Sequence, residues 1–174
     1  MNIMTFTMGL PASGKSSVIA DGRAKVDGFT LLDSDSYKEA HPDYDPKSPQ
    51  DLHSWSKAQV KKAFKEALKT GGQFVYDTTG TNAERMTEEM TRAKEAGFNV
   101  RLVFVTVDLV TSIGRNQDPS RNRIVPLPVI IEKAEKVNRV FDQIKNVPHE
   151  ILIIDNSRDN TLTVPSEYVE AFTI

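Results

Sequence analysis

The chain has 174 residues, 39% hydrophobic and 26% charged, the balance of a soluble protein able to bury a core. Its 22 Lys and Arg stand against 24 Asp and Glu, a net charge of −2, so bulk basic attraction to nucleic acid is excluded and such a partner would need a local groove. The absence of cysteine excludes disulfides, zinc–thiolate sites and thiol catalysis. The opening MNIMTFTMGL lacks the basic flank and long apolar run of a leader, and no stretch reaches membrane-spanning length. A cytoplasmic protein with no membrane partner is expected.

In chain order, the apolar, β-favouring residues 3–8 predict a strand, followed by the turn Gly9–Gly14 and a helix from Lys15 to about Lys25. Phe29–Leu32 predicts a second strand, ending in the polar cluster Asp33-Ser34-Asp35-Ser36. His41–Gln50 reads as loop, because Pro42, Pro46 and Pro49 do not fit a regular element. Val60, Phe64, Ala67 and Leu68 recur at helical spacing within Trp55–Lys69, and Gly71-Gly72 closes that helix. A third strand is expected at residues 74–77, a helix over Ala83–Ala96, and a fourth strand over Val100–Val107. An arginine-bearing polar segment leads to Pro126 and Pro128, then to a helix over Val129–Ile144 and a fifth strand at Ile151–Ile154. In the tail, Thr161–Val164 and Tyr168–Thr173 are expected as an edge addition to the sheet. Strands alternating with helices indicate an α/β protein with a mostly parallel five-stranded sheet. One domain is expected over residues 1–174, with a helical lid at about 115–128 and a tail at about 156–174.

The turn Gly9-Leu10-Pro11-Ala12-Ser13-Gly14-Lys15-Ser16 fits G-x-x-x-x-G-K-[ST] and lies after a strand and before a helix. In a three-layer P-loop NTPase fold such a loop turns backbone N–H groups onto nucleotide phosphates. Gly9, Pro11, Ala12, Ser13, Gly14, Lys15, Ser16 and Ser17 are the expected nucleotide-binding residues, with Lys15 on the β- and γ-phosphates and the Ser16 hydroxyl on Mg²⁺. The chain has no guanine-reading N/T-K-x-D and no strand ending in Asp-Glu to activate water, so transfer from ATP to a hydroxyl is favoured.

Asp33 and Asp35 follow the second strand, on the rim that carries the phosphate loop; either can accept a hydroxyl proton, or serve as a helix cap. Asp77 is placed equivalently after the third strand. Arg115, Arg121 and Arg123 lie where a closing segment could bring a cation to the transferring phosphoryl. His41 and His53 lack metal-ligand spacing, and the one expected metal contact is Ser16 with the nucleotide phosphates.

Together, GLPASGKS, LLDSDSYK (31–38), YDTTGTNAERM (76–86) and RNQDPSRNRIVPLPVI (115–130) resemble the phage-type polynucleotide kinase domain and its zeta-toxin-like kinase relatives. The resemblance implies an ATP- and Mg²⁺-dependent kinase acting on a nucleic acid hydroxyl, with the 5′-OH end of DNA or RNA as first choice, in the host cytoplasm if phage-encoded. It implies Asp35 as general base, Asp77 and Thr78 on the acceptor side, Arg121 or Arg123 as the lid arginine beside Arg115 on the nucleotide, and Lys38 on the acceptor phosphate. Lys38 stands where the polynucleotide kinases have arginine, keeping the charge and losing the fork. DSYKEAHPDYD (35–45) is similar instead to the zeta-toxin pattern, whose enzymes phosphorylate a nucleotide-sugar hydroxyl. Kinases of hydroxymethylated pyrimidines in phage DNA are the third acceptor class, and an ATP-binding regulatory module is the alternative without catalysis.

Overall fold

In the computed structural model, which describes residues 1–10, 13–119, 125–157 and 160–165, the apolar segments form β1 (Ile3–Gly9), β2 (Thr30–Leu32), β3 (Gln73–Asp77), β4 (Asn99–Thr106) and β5 (Glu150–Asp155). All five are parallel, and β6 (Asn160–Pro165) pairs antiparallel with β5, giving the order β2-β3-β1-β4-β5-β6 among the described residues. The expected edge addition is therefore present at Thr161–Val164; Tyr168–Thr173 lies outside the described residues.

Alternation along the strands divides the core between two faces. Met4, Phe6 and Met8 of β1 join Phe64, Met90, Phe104, Phe141 and Ile144 beneath α3 (His53–Thr70), α4 (Ala83–Glu95) and α6 (Leu127–Ile144). Val75, Val103, Val105, Leu152 and Ile154 face the other way, onto Val18 of α1 (Lys15–Ala20), Ala24 and Val26. Burial on both faces is why the strands read as nearly unbroken apolar runs. The result is the three-layer α/β/α architecture expected. No helix among the described residues is long and apolar enough to cross a membrane.

Three helices differ from expectation. The first stops at Ala20, since Asp21 caps it and Gly22 turns away at φ 85°. The polar cluster after β2 is the start of a helix, α2 (Ser34–Ala40), whose cap is Asp33. A further helix, α5 (Leu109–Asn116), is capped by Asp108, which accepts from the Thr111 amide at 2.7 Å. Bonds from the Thr111 hydroxyl and amide hold the Asp108 carboxyl below its ordinary range. Asp33 sits in a polar cluster that resembles loop, because a cap competes for the same residues as a turn.

Asn116 closes the segment between α5 and α6. Its amide donates to the Val125 carbonyl at 2.6 Å and accepts from the Val125 N–H at 2.8 Å, with both residues buried. Asn116→Ala leaves two buried backbone groups without those partners and should lower unfolding free energy by about 1–3 kcal/mol, read as a shifted urea midpoint.

Under α4, Arg85 donates to Glu89 at 2.8 Å and to the Tyr76 hydroxyl at 2.9 Å, and that hydroxyl donates to Glu89 at 3.2 Å. Burial, and then the Glu89 charge, push the Tyr76 phenol up to about 12. A pKa raised on folding favours the native state fully below the unfolded value and is lost as pH rises through the folded one. Stability should therefore fall between pH 10 and about 12, and Tyr76→Phe should flatten that fall in melting curves taken across this range.

Candidate active site

The C-terminal ends of β2, β3 and β1 lie side by side, and each delivers chemistry to one rim. At the end of β1, Gly9 is obligatory because a Cβ there would stand 2.7 Å from the Val105 carbonyl oxygen. Gly14 precedes α1 at φ 85°, and a Cβ on it would meet the Asn156 amide nitrogen at 2.3 Å. Both glycines thus allow close backbone approach, as a phosphate-binding turn requires. Pro11 and Ala12 lie outside the described residues. Ser13 is fully buried, and Ser16 and Ser17 are exposed on the first turn of α1.

Lys15 is held at the end of β3. Its ammonium donates to the Thr78 carbonyl at 3.1 Å and stands 3.5 Å from the Asp77 carboxylate. The Thr7 hydroxyl donates to the same carboxylate oxygen of Asp77. Thr78 donates its own hydroxyl to the Thr7 carbonyl at 3.1 Å. Asp77 and Thr78, expected on the acceptor side, are therefore engaged from the side of the phosphate loop. With side chains 15% and 18% exposed, Lys15 and Asp77 form a largely covered ion pair whose ammonium has donors to spare.

The acceptor-side candidates lie on α2. Asp33 accepts from the amides of Asp35 and Ser36, both at 3.2 Å, and from the Ser36 hydroxyl at 2.9 Å. It is spent on capping. Asp35, in the first turn of the helix, keeps a side chain 67% exposed and stands 3.8 Å from the Lys38 ammonium. Lys38 is buried, and its ammonium lies 3.3 Å from His53 Nδ1 at the start of α3. His41, at the end of α2, meets Trp55 edge-on with ring centroids 4.5 Å apart. β2 and β1 flank β3, and the Lys15 ammonium, held at the end of β3, faces the rim next to the β2 end that leads into α2.

On the other side of the loop, Arg115 lies at the end of α5 and donates to the Ser13 carbonyl at 3.4 Å and the Asn156 carbonyl at 3.0 Å. Arg121 and Arg123 lie outside the described residues. Asn156 was not among the residues expected from sequence; its place directly after a rim strand is the signal that marks it. A hollow of about 210 Å³ lined by Thr106, Val107, Asp108, Asp155 and Ser157 opens at the ends of β4 and β5. The chemistry of the residues suits ATP and Mg²⁺: Lys15 supplies a cation beside the loop, and Ser16 is exposed, with a hydroxyl able to serve the ion.

The family model for zeta toxin matches residues 2–164, and the chain belongs to the zeta toxin family. No curated protein matches it in sequence. Among solved structures, it is similar to one from the PezAT chromosomal toxin–antitoxin system of Streptococcus pneumoniae, at 15% identity and TM-score 0.66, over 93% of this chain and 70% of that one. The AvrRxo1-ORF1:ORF2 complex with ATP matches at 17% identity and TM-score 0.68, over 94% of this chain and 57% of that one. Shikimate kinase from Bacteroides thetaiotaomicron matches at 16% identity and TM-score 0.58, over 90% and 88%. At these identities the likenesses show the P-loop kinase-like fold. Of the two kinase families that the sequence resembles, it is the zeta toxin family that the comparisons show.

Proposed function

We propose that this zeta toxin family member is an ATP- and Mg²⁺-dependent kinase that moves the γ-phosphoryl group to a hydroxyl of a nucleotide sugar. The observation that carries this reading is the pairing of Lys15, at the start of α1, with Asp77 at the end of β3, beside the β2 end that leads into the helix bearing Asp35. A donor phosphate chain and an acceptor hydroxyl would meet across that interval.

In this mechanism the acceptor binds over α2, and the exposed Asp35 carboxylate takes the hydroxyl proton as the oxygen attacks. The Lys15 ammonium, held at Asp77 and Thr78, turns its remaining donors to the β- and γ-phosphate oxygens and follows the charge as it develops. Ser16 would hold Mg²⁺ together with the phosphates, and the ion would neutralise charge on their oxygens. Arg121 or Arg123 closes on the transferring group in the same reading. Asp77 fixes Lys15 and Thr7 in place, a donor-side duty.

Support for a small acceptor over a nucleic acid comes from the lysines. Lys57, Lys61 and Lys62 are exposed along α3 while Val60, Phe64 and Ala67 face the core, as on a solvated helix face. The cation beside Asp35 is Lys38, and it is buried. The reading is tested by offering γ-labelled ATP with Mg²⁺ to UDP-N-acetylglucosamine, a 5′-OH oligonucleotide, and end-blocked DNA containing hydroxymethyluracil. Label on the sugar nucleotide is expected. Label on the 5′-OH oligonucleotide restores the polynucleotide kinase reading, and label on the end-blocked DNA moves the acceptor to the hydroxymethylated base. ATP bound with nothing labelled favours a regulatory module.

A further inference from the structure

Asn156 follows β5 and is tied to four other parts of the chain. Its backbone N–H donates to the Thr106 carbonyl at the end of β4, at 2.8 Å. Its side-chain nitrogen donates to the Ser13 carbonyl at 2.7 Å, and its side-chain oxygen accepts from Arg23 at 2.8 Å. Arg115 completes the set, donating to the carbonyls of both Ser13 and Asn156. The orientation of the amide follows from the chemistry of its neighbours: a guanidinium only donates and a carbonyl only accepts. Turning the amide over would set donor against donor and acceptor against acceptor.

We infer that Asn156 is a positioning residue for nucleotide binding, which turns the Ser13–Gly14 peptide so that the Gly14 N–H faces the phosphates. The inference rests on the kinase reading above. A trans peptide is planar, with its C=O and N–H pointing in opposite directions. Holding the Ser13 oxygen outward, towards Asn156 and Arg115, therefore aims the Gly14 N–H to the opposite side. The contact is also close-fitting, since any Cβ on Gly14 would strike the Asn156 nitrogen. With the peptide already turned, the loop has less freedom to lose when a phosphate arrives, and binding is tighter for it.

Asn156→Asp separates this role from general support. The carboxylate has nearly the same shape and still accepts from Arg23, but it sets an oxygen against the Ser13 carbonyl. ADP affinity, measured by calorimetry without Mg²⁺, should weaken about tenfold or more, from loss of the bond and its replacement by repulsion. KM for ATP should rise in parallel, while KM for the acceptor and the melting temperature stay close to those of the wild type. If the aspartate variant does not fold, Asn156→Ala gives the same comparison without an added charge. ADP affinity within twofold of wild type overturns the inference. So does a loss of ADP affinity matched by equal losses in melting temperature and acceptor KM, the mark of a structural strap. Lys15→Met in the same titrations keeps the two readings apart. ADP bound by wild type, lost with Lys15→Met and unchanged with Asn156→Asp, overturns the role of Asn156 alone. If wild type binds no ADP, the phosphate-loop reading itself fails.

Discussion

Lys15→Met is expected to lower kcat/KM for phosphoryl transfer by about three orders of magnitude or more, with the fold intact. A preorganised cation at the transferring phosphoryl is worth on the order of 10²–10³ in rate, and Lys15 also binds the ground-state phosphates, so the two losses compound in kcat/KM. The substitution keeps the length of the side chain. It leaves Asp77 with its bond from Thr7, so the end of β3 retains its side-chain tie to β1. Steady-state transfer, with melting temperature as the control for folding, checks this. Transfer within tenfold of wild type would remove Lys15 from the chemistry and, with it, the assignment of the Gly9–Ser16 turn.

Asp35→Asn should slow transfer by about two to four orders of magnitude while ATP affinity stays nearly unchanged. The variant has the same shape and cannot accept a proton. The Asp35 side chain is exposed and takes no part in the cap of α2, which uses only its backbone N–H, so the helix should persist. The salt-bridge partner of Asp35 is Lys38, and Lys15 pairs instead with Asp77, so the donor side of the site should be unaltered. The expected pattern is a fall in kcat with an unaltered ATP dissociation constant. Near-normal turnover would take the proton elsewhere.

These two residues were legible in the sequence because their signals are local. A glycine-bounded turn between a strand and a helix identifies Lys15, and an acid just past an apolar run identifies Asp35. The parallel strands were equally plain, since residues such as Leu102 to Val105 and Ile151 to Ile154 are buried on both faces and leave no polar alternation. The helices α2 and α5 were hidden for the opposite reason. Each is short, at seven and eight residues, and begins at a capping aspartate, Asp33 or Asp108; α2 lies in a polar cluster that reads as a turn, and α5 has too few turns to show a helical period. The direction of Asp77 depends on register: pairing sets Thr7 beside it, and the loop then brings Lys15 over both. Asn156 was least legible, because its partners Ser13 and Arg23 lie more than a hundred residues away in the chain and no local pattern links them.

The most direct test of the account is where the γ-phosphoryl group resides after one turnover, with enzyme in excess over γ-labelled ATP and the acceptor present. Transfer from Lys15 towards Asp35 predicts label in a stable phosphomonoester on an acceptor hydroxyl, formed as ADP appears. Label found as inorganic phosphate, or retained on the protein, would contradict it.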